Sequence, residues 1–266
     1  MLSRLPASKP LPILLLLVAM QCLCVPATWS RELKMTIEPS FTSGNYGTDS
    51  TTDTFEVPLR LRYKDGPYKI GIRVPYLSVT GPQSPVPGVG LVGAETSTRG
   101  TVRGLGDVGL RGSVRIIGGG DSDWLELEAG MAMRLPTGNQ SRGLGSGQLG
   151  LSPYLDATID LGANLSLEVI IGRFIRTRHP PHQQFRDYFY ATVELDYDVT
   201  PRVTVGLIMD TQQASVSYGT GVLEAGVFAE YEFASGTAIG ISASRGFTRD
   251  SSAFGVSLLL SHRFTW

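Results

Sequence analysis

The chain has 266 residues, with 23 basic and 24 acidic side chains and a formal net charge of -1. That near balance excludes the clustered basic excess that phosphate binding needs, so nucleic acid is not an expected partner. A mean hydropathy of +0.04 fits a soluble protein, but it also fits a β-barrel, whose lipid-facing residues alternate with polar ones and average out.

The amino-terminal segment reads as a secretory signal. Arg4 and Lys9 precede an apolar run from Leu11 to Met20, and Val25-Pro26-Ala27 ends in a small residue of the kind a signal peptidase cuts after. The run is too short for a membrane helix, which needs about 20 apolar residues. Residues 1–27 are therefore expected to be cleaved, leaving 28–266 as one domain. Cys22 and Cys24 are the only cysteines, and neither follows the small residue that lipoprotein processing favours. The mature chain would hold no thiol, so its stability must come from a hydrogen-bond ladder or a core rather than disulfides.

From Leu33 onward, apolar residues recur at every second position, the period of a half-buried strand. Leu33 to Phe41 is the first such segment. Phe55, Val57, Leu59, Leu61 and Tyr63 alternate with Glu56, Pro58, Arg60 and Arg62, and Lys64-Asp65-Gly66-Pro67 turns the chain into Tyr68 to Tyr76. Val108 to Ile116 and Leu125 to Leu135 flank a turn around Gly118 to Asp123. Further segments run from Leu149 to Ala157, Leu165 to Ile175, Phe189 to Val199, Val203 to Met209, Leu223 to Phe233, Ile239 to Phe247 and Ala253 to Trp266. The pattern predicts about 12 strands, an even number as single-chain bacterial barrels require. Connections alternate between long (42–53, 80–103, 136–148, 177–187, 211–221) and short (64–67, 118–123, 159–163, 200–202, 234–237), as outer loops and periplasmic turns do. Only 248–252 is short where length is expected.

A soluble sandwich or lipocalin also alternates, with its apolar side inward. Three features favour a membrane instead. The strands reach about 9 to 11 residues, the length of a tilted crossing. The alternate phase is charged along its length, through Arg60, Arg62, Arg73, Arg111, Arg115, Glu126, Glu128, Glu168, Glu194, Asp196, Glu224, Glu230 and Glu232. Aromatics of the apolar phase gather at strand ends: Tyr63, Tyr68, Tyr197, Phe233, Phe264 and Trp266 at one rim, Phe41, Phe55, Tyr76, Phe189, Phe247 and Phe254 at the other. Two such girdles fit two membrane interfaces. Arg173 and Arg245 break the apolar phase near outer strand ends, where a long side chain can snorkel. The expected fold is an all-β transmembrane antiparallel up-and-down barrel.

The last strand alternates without a break and stops on Trp266. It resembles the closing strand of bacterial outer-membrane barrels, and that resemblance implies outer-membrane lipid and the barrel insertion machinery as partners, with Phe264 and Trp266 as the insertion signal, after export through the periplasm. A second resemblance lies in mid-chain. Arg103-Gly104-Leu105-Gly106-Asp107 opens one strand, and Leu135-Pro136-Thr137-Gly138 with Arg142-Gly143-Leu144-Gly145-Ser146-Gly147 fills the next outer loop. Over about 103–150 this is similar to the outer-membrane transporter family named for the meta-cleavage pathway of phenol degradation. It implies passage of small molecules, aromatic or hydrophobic ones among them, and supplies no binding residues to carry over.

Catalytic signals are weak. Gly104 to Gly109 spells G-x-G-x-x-G, but a strand follows where a dinucleotide site needs a helix. His262 falls on the apolar phase near the periplasmic rim, as an interfacial residue would. His179 and His182 flank two prolines in an outer loop, with no carboxylate until Asp187, so no metal site is expected. No cofactor and no catalytic residue are expected either.

The charged phase admits two readings. Rows left unpaired would line a water-filled path and select solutes by charge, whereas opposite-sign ladders would fill the lumen. Arg60 and Arg62 beside Lys69 and Arg73 form a basic group, Arg111 and Arg115 face Glu126 and Glu128 across their hairpin, and Glu194, Asp196, Glu224 and Glu230 follow on later strands. The candidate lining is therefore Arg60, Arg62, Arg73, Arg111, Arg115, Glu126, Glu128, Glu194, Asp196, Glu224 and Glu230. The leading function is a channel for passive uptake of small solutes across the Gram-negative outer membrane. A non-conducting structural or adhesive barrel is the alternative, and a barrel hydrolase a third.

Overall fold

In a computed structural model of the chain, the described residues are 31–81, 84–86, 90–92, 100–119, 123–177 and 185–266. The signal segment, His179 and His182 lie outside them. In chain order the strands are β1 (Arg31–Ile37), β2 (Ser40–Gly44), β3 (Thr52–Asp65), β4 (Tyr68–Gly81), β5 (Ser84–Val86), β6 (Gly90–Val92), β7 (Gly100–Leu105), β8 (Val108–Ile117), β9 (Leu125–Leu135), β10 (Gly150–Gly162), β11 (Leu165–Arg176), β12 (Tyr188–Thr200), β13 (Val203–Gln212), β14 (Val222–Glu232), β15 (Thr237–Gly246) and β16 (Phe254–Thr265).

These strands make a closed 12-strand antiparallel barrel, with β5 and β6 a separate two-stranded ribbon. Two staves are each written as two strands, for different reasons. Between β1 and β2 the register runs on unbroken against β3 (Ile37 opposite Leu59, Ser40 opposite Glu56), and the gap falls at Pro39, which has no N–H to donate. Between β7 and β8 the register slips. Leu105 is opposite Tyr76 but Gly109 is opposite Arg73, so the stave carries one extra residue at Gly106-Asp107. That bulge changes which parity points inward and aims Asp107 into the barrel. Closure comes from β16, which pairs with β1 (Lys34 opposite Arg263) and with β2 (Phe41 opposite Val256).

Burial is inverted relative to a soluble protein. Large apolar residues on the outward phase are exposed, among them Ile70 (61%), Leu207 (55%) and Leu258 (59%), while glutamates such as Glu128 (4%) are buried. A closed sheet satisfies all its backbone groups internally, and an apolar exterior then suits hydrocarbon rather than water. Aromatic contacts mark both ends. Tyr63 meets Trp266 at 6.3 Å beside the termini, and Phe41 meets Phe254 at 5.9 Å at the far end. Arg173 is accommodated as a rim residue: it lies 5.4 Å over the Phe189 ring and 3.7 Å from Asp187.

Replacing Leu207, mid-strand on the outward phase, by arginine should lower the stability of vesicle-folded barrel by about 2–4 kcal/mol, the cost of arginine near the bilayer midplane. Guanidinium titration followed by tryptophan fluorescence would measure it, and an unchanged midpoint would mean that Leu207 does not face lipid.

Candidate functional site

The interior of these strands is built from the even-numbered residues of β9 to β15 and the odd-numbered residues of β4 and β8, a phase fixed by register pairs such as Lys69 with Ser113, Arg115 with Glu128 and Glu128 with Asp156. It contains a cavity of about 470 Å³ bounded by β3, β4, β8, β9, β10 and β11. A shallower depression of about 660 Å³ lies across β11 to β15, lined by Leu207, Met209, Val227 and Arg245 of the outward phase, and so belongs to the exterior.

On and beside the cavity wall the basic side chains other than Arg134 are engaged one by one. Arg60 pairs with Glu38 from the Pro39 break, Arg73 with Glu56, and Arg62 with Glu32 at 3.6 Å. Lys69 holds Glu128 and reaches Glu126 at 3.5 Å, Arg115 binds Glu126 at 3.0 Å, and the Ser113 hydroxyl donates to Glu128 at 2.8 Å. Arg111 passes over the Tyr154 ring at 4.0 Å and meets Asp156 at 3.4 Å, two strands away, rather than Glu126 or Glu128 across its own hairpin. The basic group is therefore an ion-paired lattice, not an unpaired row. In half-buried pairs of this kind each partner offsets part of the other's lost hydration.

The later strands differ. Glu194 lies directly across from Glu168 and Ile208, Asp196 keeps its Oδ1 buried with no hydrogen-bond partner, and Glu230 stands opposite Thr204 and Gly240. Asp210 and Asp198 accept hydrogen bonds from the hydroxyls of Thr192 and Thr204, each at 2.6 Å. Among the described residues none of these five carboxylates has a basic partner within ion-pair distance. Glu224 is used differently: it accepts from the Ser252 N–H at 2.7 Å and its hydroxyl at 2.8 Å, fixing the short connection between β15 and β16. Arg263 binds Glu232 at 3.0 Å near the termini.

Aromatic side chains on the inward phase were not part of the sequence pattern. Tyr154 and Phe174 are each 5% exposed and Tyr188 is 2% exposed. Tyr154 lies across Gly130 on the neighbouring strand, in the space a side chain there would occupy, and Tyr190 and Phe228 cover Gly172 and Gly206 in the same way. The recurring aromatic opposite glycine was a readable signal, because glycine on the inward phase leaves room that a large neighbour can fill.

The mouth farther from the termini is narrowed by the connection between β9 and β10. Leu144 of that loop is 1% exposed and packs on Leu77 and Val79 of the inward face. Its anchor is Asp107, 6% exposed, which accepts from the Gly138 N–H at 2.9 Å and from the Ser146 N–H and hydroxyl at 2.7 Å each. Thr137 ties the same turn to β8 by accepting from the Val108 N–H at 2.9 Å. Gly138 and Gly145 touch so closely that a Cβ on Gly145 would lie 2.7 Å from the Gly138 Cα. The two glycine-rich motifs are thus halves of one clamp.

No protein-family model and no curated protein sequence matches the chain. Among solved structures it is similar to an outer membrane channel from Pseudomonas putida F1, at 14% identity over 91% of this chain and 97% of that one, with a TM-score of 0.67. It is also similar to the NanC porin (11% identity, 85% and 97% covered, TM-score 0.55) and the KdgM porin (10% identity, 87% and 99% covered, TM-score 0.54). At these identities the likeness is one of fold.

Asp107→Ala would leave three donors of the clamp without their acceptor, each hydrogen bond to a charged group being worth about 1.5–3 kcal/mol. The loop should then open, and trypsin should cut after the exposed Arg142 at least tenfold faster than in the wild type. Equal cleavage rates would mean that Asp107 does not hold the loop.

Proposed function

We propose that this barrel is an outer-membrane channel for the passive passage of small solutes. The observation that carries the reading is the half-lined interior: around the cavity one side is closed off by ion pairs and the inward loop, while β12 to β14 keep carboxylates that, among the described residues, have no basic partners. A carboxylate without a counter-charge keeps its charge only beside water. The fold shared with a Pseudomonas putida outer membrane channel and two porins supports the same reading. The resemblance of the Gly-rich clamp extends the range of solutes to aromatic and hydrophobic ones. On this reading the amino-terminal 27 residues export the chain, and Phe264 and Trp266 present the closing strand to the insertion machinery. The role is transport rather than catalysis.

One observation favours a second reading, a plugged barrel whose outer loops make contacts. The ion-paired lattice and Leu144 fill much of one side of the mouth.

Single-channel recording of refolded protein in planar bilayers separates the two. A channel gives discrete openings that favour potassium over chloride, because the unpaired interior charge is mostly acidic. Glu194→Gln with Glu230→Gln should move the reversal potential in a salt gradient toward zero. A folded barrel with no current would establish the plugged form.

A further inference from the structure

The two arginines that break the apolar outward phase are held differently. Arg173 lies over the Phe189 ring and beside Asp187. Arg245 is exposed, and among the described residues no carboxylate comes within ion-pair distance of it. A guanidinium at the edge of hydrocarbon is costly unless an anion or water meets it. Arg245 also forms one end of the exterior depression.

That depression has a direction. Leu167, Leu195, Leu207, Val227 and Ala243 face one another in a row across β11 to β15, and Val193, Met209, Ala225 and Arg245 make the next row. Between the rows runs a furrow of about 660 Å³. Five staves have four spacings of about 4.8 Å, so the furrow is about 19 Å long. It climbs as it crosses the wall. It starts at Leu167, the third residue of β11 after a short turn, and ends at Arg245, one residue before the outer end of β15. With strands tilted by about 40°, a row of that length rises by about 12 Å, half of the roughly 25 Å apolar band of such barrels. At the upper end Ala225 and Ala243 present only methyl groups beside Arg245. Phe254 of the outer girdle stands at the same level, one step beyond the Ser244–Gly255 pair.

We infer that this furrow is a binding site for one outer-leaflet lipid, the phosphorylated glycolipid lipid A, with a phosphate on Arg245 and an acyl chain laid along the furrow toward Leu167. The furrow descends by the depth of one leaflet, its charged end lies at the outer girdle, and lipid A is the lipid anchor of that leaflet in Gram-negative bacteria. The planar guanidinium presents paired N–H donors that match phosphate oxygens. Because the site lies on the outside of the wall, it is independent of whether the lumen conducts.

The test is native mass spectrometry of the detergent-folded barrel with lipid A, its dephosphorylated form and phosphatidylglycerol. Lipid A should be retained at a concentration tenfold or more below that needed for the dephosphorylated form. Arg245→Gln should bring the two within twofold of each other, whereas Arg173→Gln, at the partnered arginine, should leave the preference within twofold of the wild type. Ala243→Trp, which fills the upper furrow with Arg245 intact, should weaken lipid A retention at least fivefold. Equal retention with and without phosphate, or an undiminished preference in Arg245→Gln, would overturn the inference, and unchanged retention by Ala243→Trp would overturn the furrow as the seat of the chain. Phosphatidylglycerol held as tightly as lipid A would overturn the assignment to lipid A. If Arg245→Gln does not fold, the wild-type comparison decides alone: a tenfold preference for the phosphorylated lipid supports the site, and equality overturns it.

Discussion

Everything in this molecule depends on the closure of one sheet. A strand edge in hydrocarbon would leave a row of N–H and C=O groups with no partner, at several kcal/mol each, so β16 must find the first stave. It does so twice, through β1 and again through β2 beyond Pro39. Closure then separates the two phases of each strand completely. The outward phase can be leucine, isoleucine and valine throughout, and the inward phase must accommodate whatever charge the chain carries. The Pro39 break serves the second requirement as well, since Glu38 turns in to pair with Arg60 and accepts from the Ser257 hydroxyl.

The interior handles its charge unevenly, and geometry explains where. Beside the inward loop, water is displaced by Leu144, Leu77 and Val79, and the neighbouring basic groups have carboxylates within reach. On β12 to β14, among the described residues, Glu194, Asp196, Asp198, Asp210 and Glu230 remain without cations. The Gly106-Asp107 bulge is the hinge of this asymmetry. It places a carboxylate where three donors of a single loop converge, and that loop covers one side of the mouth only.

Much of this was legible in the chain. Period-2 alternation is a local property, so the twelve staves, their alternating connections and the terminal strand could be read residue by residue, and β3 and β4 extend past the ranges read, to Thr52 and Gly81. The Gly-Leu-Gly-Asp and Gly-Leu-Gly-Ser-Gly motifs were visible as a resemblance, but their meeting through Asp107 depends on a fold that brings residues 107 and 146 together. Lumen pairing was the least legible. Hairpin neighbours predicted Arg111 with Glu126 or Glu128, whereas a guanidinium on a long side chain inside a curved wall reaches across strands to Asp156. Tyr154, Phe174 and Tyr188 sit on the inward phase, and the inward glycines gave notice of Tyr154 and Phe174 alone.

The central claim is a wet interior inside a lipid-facing shell, and cysteine accessibility along β13 tests it most directly, since the chain's only cysteines precede the barrel. Single cysteines at residues 204 to 210 of vesicle-folded protein would be exposed to a charged, membrane-impermeant thiol reagent. The account predicts labelling at 204, 206, 208 and 210 and protection at 205, 207 and 209. Uniform labelling would contradict the lipid-facing shell, and protection at all seven positions would contradict the water-filled lumen.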